Sequence, residues 1–544
     1  ARSRVLEYLS DAARRLPRGI TPTLGPDATG VGWVYQYAIE HPTLNLAETR
    51  TLQDWYVRFA AAKATGVAEV SSVGGLVKQY NVVVDPNRLL ALGLSLDDVR
   101  RAIADSNRDV GGRVVELSET EHAVRGRGYL KSAADIEEIT LKTMNGVPLT
   151  VRDVARVEIG PDERRGIAEL NGTGEVAAGI VTQRQGANTV DVIAAAKAEL
   201  DRILPSLPEG TRIVPVYDRS ELIDRAIATL ERTLTEESII VALVCIVFLL
   251  HVRSALVAII MLPVGVLLAF AGMKALGLSS NIMSLGGIAI AIGAMVDAAI
   301  VMIENAHKHL ERAGPDESRV KAIVDAAVEV GPSLFFSLLI ITVSFLPIFT
   351  LEAQEGRLFH PLAFTKTFAM AAGALLSVTL VPALMVLFIR GRIRSEAANP
   401  INRVLIALYR PVIAAVLKAR VLVIGAAVVV LAVSAWPLMR TGSEFMPNLN
   451  EGTLFYMPTT LPGLSVTKAG ELVQTQNKII KSFPEVASVF GKAGRASTAT
   501  DPAPMEMFET VVNLKPESEW RAGMTVDKLI AEMDASLQFP GVSN

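Results

Sequence analysis

Apolar and polar positions divide the 544-residue chain into three parts. Residues 1 to about 217 mix the two kinds of position with the spacing of short strands and helices. Six apolar segments then follow, at 238–250, 255–273, 282–303, 333–351, 368–389 and 421–439. From residue 440 onward the pattern is again that of a soluble domain. Because a membrane-spanning helix needs roughly 20 mostly apolar residues, the middle part predicts a bundle of six spans.

Two segments of the middle part need separate treatment. The segment 238–250 is short for a span, but the residues before it have a helical pattern, so we expect one long helix that leaves the soluble part and enters the membrane. The stretch near 400–418 is apolar along one face only and is expected to lie along the membrane surface.

Basic residues predict the orientation of the spans. They are concentrated in two links, which are therefore expected to face the cytoplasm. Six is an even number, so both soluble parts are expected on the opposite side, which is the periplasm if the source is a double-membrane bacterium. The links are 304–325, with Lys308, Arg312, Arg319 and Lys321, and 390–420, with Arg390, Arg392, Arg394, Arg403, Arg410, Lys418 and Arg420.

Composition supports a membrane protein and excludes several other classes. Half of the residues are hydrophobic and the mean hydropathy is +0.37, while a net charge of −3 gives no indication of nucleic-acid binding. The single cysteine, Cys245, cannot form an intrachain disulfide. The sequence contains no phosphate-binding GxxxxGK[ST] motif, no HExxH and no GxSxG. The chain starts without Met inside a charged helical pattern, so we expect a fragment of a longer protein.

The soluble parts share a short plan. Residues 52–75 and 469–492 each combine a helical pattern, a turn, a V-x-S-V strand and glycine. A second local signal is the strand, turn and helix pattern of 78–107, where Ser95 is the expected N-cap. These patterns predict mixed α and β structure on both sides of the membrane part, with a weak internal repeat.

Asp297 is the one charged residue in the apolar segment 282–303. A carboxylate within a bilayer is costly, and burial favours its neutral form. Such a group can take up a proton from one side and release it to the other, so Asp297 is a candidate proton-relay residue. The alternative is a structural aspartate that is hydrogen-bonded to a neighbouring helix. Glu304 and His307 come at the end of the segment and are expected to be solvated interfacial residues.

Several motifs then identify a family resemblance that covers essentially the whole chain. "GGIAIAIGAMVDAAIVMIENAHKHLER" (286–312) resembles the fourth membrane helix of heavy-metal efflux pumps of the resistance-nodulation-division (RND) superfamily. "RGIAELNGTGEVAAGIV", "LPIFTLEAQEGRLF", "GSEFMPNLNEGTLFYMPTTLPG" and "ATDPAPMEMFETVVNLKPESEW" are similar to the same family, in its order. The similarity is greatest to the copper/silver pumps of that branch.

The resemblance implies an α+β membrane protein, in which a multi-span helical bundle carries βαβ (ferredoxin-like) periplasmic porter subdomains with a docking insertion. The chain would be a fragment of such a transporter. The implied parts are the end of a first porter subdomain (1–27), a second porter subdomain (28–72 and 161–217), a docking subdomain (73–160), the membrane helices (218–439) and the start of a third porter subdomain (440–544).

The resemblance also implies activity and partners. The protein would be an inner-membrane, proton-driven exporter of Cu(I) or Ag(I), a secondary transporter rather than an enzyme, with no cofactor besides the transported ion. It would work as a homotrimer in membrane lipid, with a periplasmic membrane-fusion adaptor, an outer-membrane channel and a periplasmic metallochaperone. Asp297 matches the proton-relay aspartate of the family, whose expected lysine and acidic partners would lie on later helices outside this chain.

Methionine is the metal ligand that the sequence offers in quantity. Thioether sulfur suits soft Cu(I) and Ag(I), whereas zinc and cobalt sites more often use His, Cys and carboxylate. In "PMEMFETVVNL" a strand would place Met505, Met507 and Glu509 on one face. The alternative is that these methionines fill the core. The resemblance assigns Met457 and Met507 to a three-methionine site whose third member lies outside the chain, and Asp501 and Glu509 to the lining of the same cleft.

The resemblance further assigns a stepwise methionine path to the membrane part. Met295 and Met302 are seven residues apart and share a helix face, while Asp297 lies on another face of the same helix. Packing between helices is the alternative role for each of these methionines. At Glu163, copper/silver pumps often have Met, so this position departs from the pattern. The path residues would be Met283, Met295, Met302, Met370 and Met385.

Rival functions remain open from the residues alone. A divalent-metal exporter for Zn, Co or Ni would not explain the methionine pair. A multidrug exporter would need a large aromatic-lined pocket, but aromatic residues make up only 6% of the chain. A membrane sensor with the same fold would not depend on Asp297. The six histidines predict no metal site, because His307 and His309 point in different directions on a helix.

Overall fold

The computed structural model describes residues 2–17, 20–249, 251–278, 280–313, 318–390, 399–442 and 452–544. The chain divides into two compact units. Residues 1–219 and 450–544 form one, which we call the sheet unit, and residues 220–449 form the other, which we call the helical unit. The basic positions Arg392 and Arg394 lie outside the described residues.

The described strands all belong to the sheet unit. In chain order they are β1 (Trp33–Glu40), β2 (Val67–Gly74), β3 (Lys78–Val84), β4 (Val110–Leu117), β5 (Thr120–Gly126), β6 (Thr140–Met144), β7 (Val147–Thr150), β8 (Ala155–Pro161), β9 (Gly166–Leu170), β10 (Ala177–Gln183), β11 (Arg212–Asp218), β12 (Thr453–Tyr456), β13 (Thr459–Thr460), β14 (Val486–Gly494), β15 (Phe508–Leu514) and β16 (Val542–Ser543).

The α-helices belong to both units. They are α1 (Arg2–Ala13), α2 (Leu46–Leu52), α3 (Arg58–Ala61), α4 (Pro86–Ala91), α5 (Leu96–Ser106), α6 (Ala133–Glu137), α7 (Val151–Val154), α8 (Thr189–Ile203), α9 (Ser220–Leu249), α10 (Val252–Ala275), α11 (Ile282–Arg312), α12 (Arg319–Ser344), α13 (Ala353–Val378), α14 (Leu380–Phe388), α15 (Pro400–Lys418), α16 (Arg420–Arg440), α17 (Val466–Lys481) and α18 (Val526–Ser536).

The first sheet of the sheet unit has the strand order β11-β1-β10-β2, with every neighbouring pair antiparallel. Helices α2 and α3, joined by a π-helical turn at Gln53–Val57, connect β1 to β2, and α8 connects β10 to β11. This is the order and connectivity of a ferredoxin-like sheet, so the predicted βαβ porter fold is confirmed. Both faces of this sheet carry apolar side chains, because helices cover one face and the second sheet packs on the other.

The second sheet has the order β12-β15-β14-β9 and is also antiparallel. Helix α17 connects β12 to β14 and packs against the sheet through Val473 and Phe508. Its edge strand β9 comes from a distant part of the sequence, within the range predicted for the second porter subdomain. The helix and strand shared by 52–75 and 469–492 are α3 with β2 and α17 with β14, so the repeated plan is confirmed.

The inserted region between β2 and β9 forms three two-stranded sheets, β3-β8, β4-β5 and β6-β7; it has a small core of its own, to which the exposed β4-β5 sheet contributes no residue. Ser95 is the N-cap of helix α5, and its side chain accepts from the backbone N–H of Asp98, as the sequence predicts. The region has the position of the predicted docking subdomain, whose boundaries stay a prediction.

Two buried carboxylates stabilise the sheet unit. Glu169 on β9 accepts hydrogen bonds from the backbone N–H groups of Gly172 and Gly174 and from the amide of Asn477 on α17. Burial raises the pKa of Glu169 above its ordinary value, against the opposing effect of these donors. Glu485 pairs with Arg521, with 2.6 Å between Nε and Oε1, and this hydrogen bond lowers the pKa of Glu485.

The helical unit packs α9 to α14 around one apolar core, with α11 and α13 at its centre. Helices α15 and α16 contain no buried residue within this chain. Six helical segments of the described residues are long and apolar enough to cross a membrane: Val252–Ala275, Ile282–Arg312, Arg319–Thr350, Glu355–Val378, Pro400–Lys418 and Arg420–Arg440.

These six segments are not the same six that the sequence predicts. Residues 238–249 of the first predicted segment form the end of the long helix α9, which continues upstream to Ser220 as expected. Helix α15 is present at 400–418, and its length and composition also suit a span. The number of spans and the surface position of α15 therefore stay predictions.

Candidate metal cleft and proton site

One face of the second sheet carries most of the predicted metal residues of the sheet unit. Strands β12 and β15 pair Tyr456 with Thr510, and beyond β12 the same register brings Thr459 opposite Met507. The register between these pairs places Met457 opposite Glu509. Because alternate side chains share a face, Met457, Met507 and Glu509 lie on one side of the ribbon, with the two methionines as diagonal neighbours.

The next strand adds a residue to this face that the sequence reasoning missed. On β14, Lys492 pairs with Glu509 of β15, so Met457, Glu509 and Lys492 form one row across three chain segments. The ammonium group of Lys492 lies 2.8 Å from Glu509 Oε2 and 2.6 Å from Asp501 Oδ2. Lys492 is only 3% exposed. Both acidic residues predicted to line the cleft are therefore ion-paired to one buried lysine.

Asp501 is fixed more tightly than Glu509. Its carboxylate also accepts hydrogen bonds from the backbone N–H groups of Ala496, at 2.7 Å, and Ala503, at 3.1 Å. Asp501 is buried and holds the loop between β14 and β15. Glu509 is partly exposed, and Lys492 is its ion-pair partner.

A cavity of about 270 Å³ opens beside this row. Trp33 of β1 forms one wall, with its indole Nε1 donating to Thr500 Oγ1 at 3.2 Å and its ring centroid 5.1 Å from the ammonium of Lys492. Among the described residues that line the cavity, the charged ones are Lys492, Asp501 and Glu509. The uncharged lining residues are Gly30, Trp33, Gln36, Phe455, Phe490, Thr500, Pro502 and Val511.

Met505 does not belong to this face. The prediction of a strand through Met505, Met507 and Glu509 was wrong for its first residue: Met507 still pairs with Thr459 in an isolated bridge just before β15, but Met505 lies in the preceding turn. Met505 packs against the core that Val473 and Phe508 share, which is the alternative role that the sequence allowed.

In the helical unit, Asp297 lies on the exposed side of α11, while Met295 and Met302 of the same helix are fully buried. Proton and metal candidates thus occupy different faces, as predicted. The Asp297 side chain forms no hydrogen bond or ion pair with the residues that the structure describes. The burial that the sequence reasoning assumed for Asp297 is therefore not supplied by this chain, because its side chain points away from the core of α9 to α14.

Four of the five predicted path methionines are fully buried in that core, and Met283 near the start of α11 is half-buried. Met295 fits between two glycines of neighbouring helices. An added Cβ at Gly265 of α10 would lie 2.9 Å from Met295 Sδ, and one at Gly373 of α13 would lie 2.7 Å from Met295 Cγ. Met261 of α10, which the sequence reasoning did not single out, is buried in the same core. The buried set is Met261, Met295, Met302, Met370 and Met385.

The histidines require a correction. His307 was expected to be interfacial, but it is buried and contacts Ser254 Oγ through Nε2 at 2.6 Å. His251 Nδ1 contacts the same oxygen at 2.7 Å, so a serine links two imidazoles. His309 points elsewhere, toward Glu329. Within the described ranges, no group of three His, Cys, Asp or Glu side chains is placed to hold a metal ion.

Of two acidic positions discussed from the sequence, Glu163 is exposed and Glu304 is half-exposed. Glu304 pairs with Lys308, four residues further on α11, with 2.7 Å between the charged atoms, as befits a solvated position. Glu163 pairs with Arg165 at 3.2 Å beside a polar cavity of about 440 Å³, which is lined by Arg50, Arg164, Arg165 and Arg495 among others.

Comparisons with known proteins agree on one group of transporters. The sequence profile of the AcrB/AcrD/AcrF family matches residues 1–543. The cation efflux proteins SilA of Salmonella typhimurium and CusA of Escherichia coli (strain K12) are each 56% identical to the chain over 555 and 558 residues, with 100% of the chain and 53% of each relative covered.

More distant similarities extend the same picture. The cobalt-zinc-cadmium resistance protein CzcA of Cupriavidus metallidurans is 35% identical over 537 residues, which cover 96% of the chain and 50% of the relative. The crystal structure of a heavy metal efflux pump is 30% identical, with a TM-score of 0.83, and the match covers 97% of the chain and 51% of that structure. The chain spans about half the length of the curated relatives it matches.

Proposed function

Because the chain belongs to the AcrB/AcrD/AcrF family, and within it to the heavy-metal efflux pumps of the RND superfamily, we propose that it is part of a proton-driven exporter of Cu(I) and Ag(I). The observation that carries the choice of metal is the shared sheet face of Met457 and Met507. Thioethers bind soft monovalent ions and need no deprotonation. The higher identity to SilA and CusA than to CzcA supports the same choice over Zn, Co or Ni.

The two units would have separate tasks. The sheet unit would bind the metal ion at Met457 and Met507, beside the acidic residues Asp501 and Glu509. The helical unit would supply the driving force through Asp297, whose lysine and acidic partners would come from helices outside this chain. The buried methionines of α11, α13 and α14 would offer the ion successive thioether contacts across the bundle.

The assembly follows from the family resemblance. We propose a multi-pass protein of a bacterial inner membrane with its sheet unit in the periplasm, working as a homotrimer in membrane lipid. An adaptor, an outer-membrane channel and a periplasmic metallochaperone would complete the route. The protein would act as a metal/proton antiporter and not as an enzyme, with the metal ion as its cargo.

Anaerobic binding of Cu(I) to the full-length protein tests the metal choice, with Zn(II) in parallel. Met507→Ile removes a thioether from the sheet face, and we expect it to weaken Cu(I) binding by at least about tenfold while Zn(II) stays weak. Met505→Ile is the matched control, because it removes a thioether two residues away that packs against the core. Strong Zn(II) binding that is indifferent to Met507 would assign the protein to the divalent-metal exporters.

A further inference from the structure

The buried lysine of the cleft has no role in the function proposed above, although it touches both predicted acidic residues. Lys492 lies between Asp501 and Glu509, with its ammonium on the face of Trp33. A lysine with so little exposure is uncommon unless it is paired. In a cleft that is meant to attract a metal cation, a fixed positive charge works against the cargo and therefore needs an explanation.

Charge counting around the cavity gives one. Two carboxylates and one ammonium give the described lining a formal charge of −1. A monovalent ion bound to Met457, which lies opposite Glu509 beside the cavity, would neutralise this charge, whereas a divalent ion would leave a net charge of +1. Lys492 also repels a divalent ion about twice as strongly as a monovalent one at the same distance.

We propose that Lys492 is the residue that sets the charge selectivity of the cleft, favouring monovalent soft cations over divalent cations. The inference rests on the proposed function and adds a second criterion to it. The thioethers of Met457 and Met507 select for softness, and Lys492 selects for charge.

The geometry places the positive charge of Lys492 close to the proposed position of the metal ion. Lys492 and Met457 lie on either side of Glu509 in the same row. The ammonium group therefore contacts the carboxylate that lies opposite Met457. Because Asp501 also accepts two backbone N–H groups, Lys492 is anchored on one side, and Glu509 is the carboxylate left to meet an arriving ion.

The test compares Ag(I) and Zn(II) dissociation constants of the full-length protein. Lys492→Met keeps the length of the side chain and removes its charge, which takes the cavity from −1 to −2. We expect the preference for Ag(I) over Zn(II) to fall by about tenfold or more. Lys468→Met is the control, since Lys468 is exposed on α17 and pairs with Glu471, and the preference should not change.

A second variant separates net charge from local damage. Lys492→Met combined with Glu509→Gln returns the cavity to −1, so the preference for Ag(I) should move back toward that of the wild type. If Lys492→Met fails to fold, Glu509→Gln alone decides the question, because it makes the cavity neutral and should weaken Zn(II) more than Ag(I).

The outcomes distinguish this inference from the proposed function. A wild type that does not bind Ag(I), or binds it without need of Met507, removes the proposed function and this inference with it. A wild type that binds Ag(I) through Met507, with an Ag(I) to Zn(II) ratio unchanged in the charge variants, overturns the role of Lys492 alone.

Discussion

Asp297 of the helical unit and Asp501 of the sheet unit are both aspartates in functionally suggestive places, yet their surroundings are opposite. Asp501 is buried and accepts hydrogen bonds from Lys492 and from two backbone N–H groups. Asp297 is exposed on α11 and is bound by no other described residue. A carboxylate with all its partners in place is part of the fold, whereas one without partners adds nothing to the stability of this chain and is available for another task.

The largest effect expected is on transport by the Asp297→Asn variant. The amide cannot carry a proton, so export driven by an inward proton gradient should fall to background, about 100-fold or more. Metal export by the full-length protein in proteoliposomes measures this. Glu304→Gln on the same helix is the control and should export normally. Undiminished export by Asp297→Asn would remove the proton role.

For Asp501 we expect the main effect on stability, in contrast to the effect on transport at Asp297. Asp501→Ala leaves Lys492 short of one partner and two buried N–H groups unpaired, which should destabilise the sheet unit by about 3–5 kcal/mol. Hydrogen exchange of the β14 amides in the full-length protein measures this loss. Asp297→Asn should leave the same amides as protected as in the wild type. Equal losses of β14 amide protection in Asp501→Ala and Asp297→Asn would contradict the different roles of the two aspartates.

Two glycine substitutions compare a tightly packed position of the helical unit with an open one. Gly373→Ala places a methyl group against Met295 and should cost about 1–3 kcal/mol through overpacking. At Gly293, which lies two residues before Met295, an added Cβ meets no atom of the described residues within 4 Å, so Gly293→Ala should be neutral or slightly stabilising. The unfolding midpoint of the purified protein distinguishes them. Equal midpoints would mean that Met295 is loosely packed.

The smallest effect concerns pH and the pair of Glu485 with Arg521. The folded pKa of Glu485 is lowered, so the pair stabilises the sheet unit above the unfolded pKa, and this contribution is lost as pH falls through the folded pKa. Arg521 is half-exposed, so screening by solvent keeps the contribution small. Protection of the α18 amides should therefore be slightly higher in the wild type than in Glu485→Gln at neutral pH.

The difference between these two proteins should narrow as the pH falls below about 4, where an ordinary glutamate becomes protonated. Glu471→Gln serves as the reference, because Glu471 is exposed and pairs with an exposed lysine, so its removal should change protection at neither pH. A gap between wild type and Glu485→Gln that does not depend on pH would assign the effect to packing.

The sequence predicts the two kinds of structure well because both rest on periodicity. The apolar segments at 255–303 became α10 and α11, and alternation in "FETVVNL" became β15 with Glu509 on the predicted face. The sequence did not predict which strands pair with each other. Nothing local indicates that β9 joins the second sheet, because that pairing depends on side chains far apart in sequence.

The candidate sites show the same limit. Asp297 was proposed because a charge in an apolar run is visible in the sequence, and Met507 because the family resemblance assigns it to a methionine site. Lys492 was missed because lysine is usually a surface residue, and only the structure shows that Asp501 and Glu509 converge on it. His307 was misplaced because burial near the end of a long helix depends on Ser254 of a neighbouring helix.

The strand β9 has a consequence for how the molecule is made. Glu169 on β9 and its partner Asn477 are 308 residues apart, and the whole helical unit lies between them in the chain. The entropic cost of closing a loop grows only slowly with its length. The pairing of β9 must nevertheless wait until all the residues in between have been synthesised. Because β9 pairs Ala168 with Lys492, the proposed metal cleft can be completed only after the ribosome has passed the membrane helices. A nascent chain that has not yet produced its membrane part therefore lacks Lys492 and the sheet face on which the metal site is proposed.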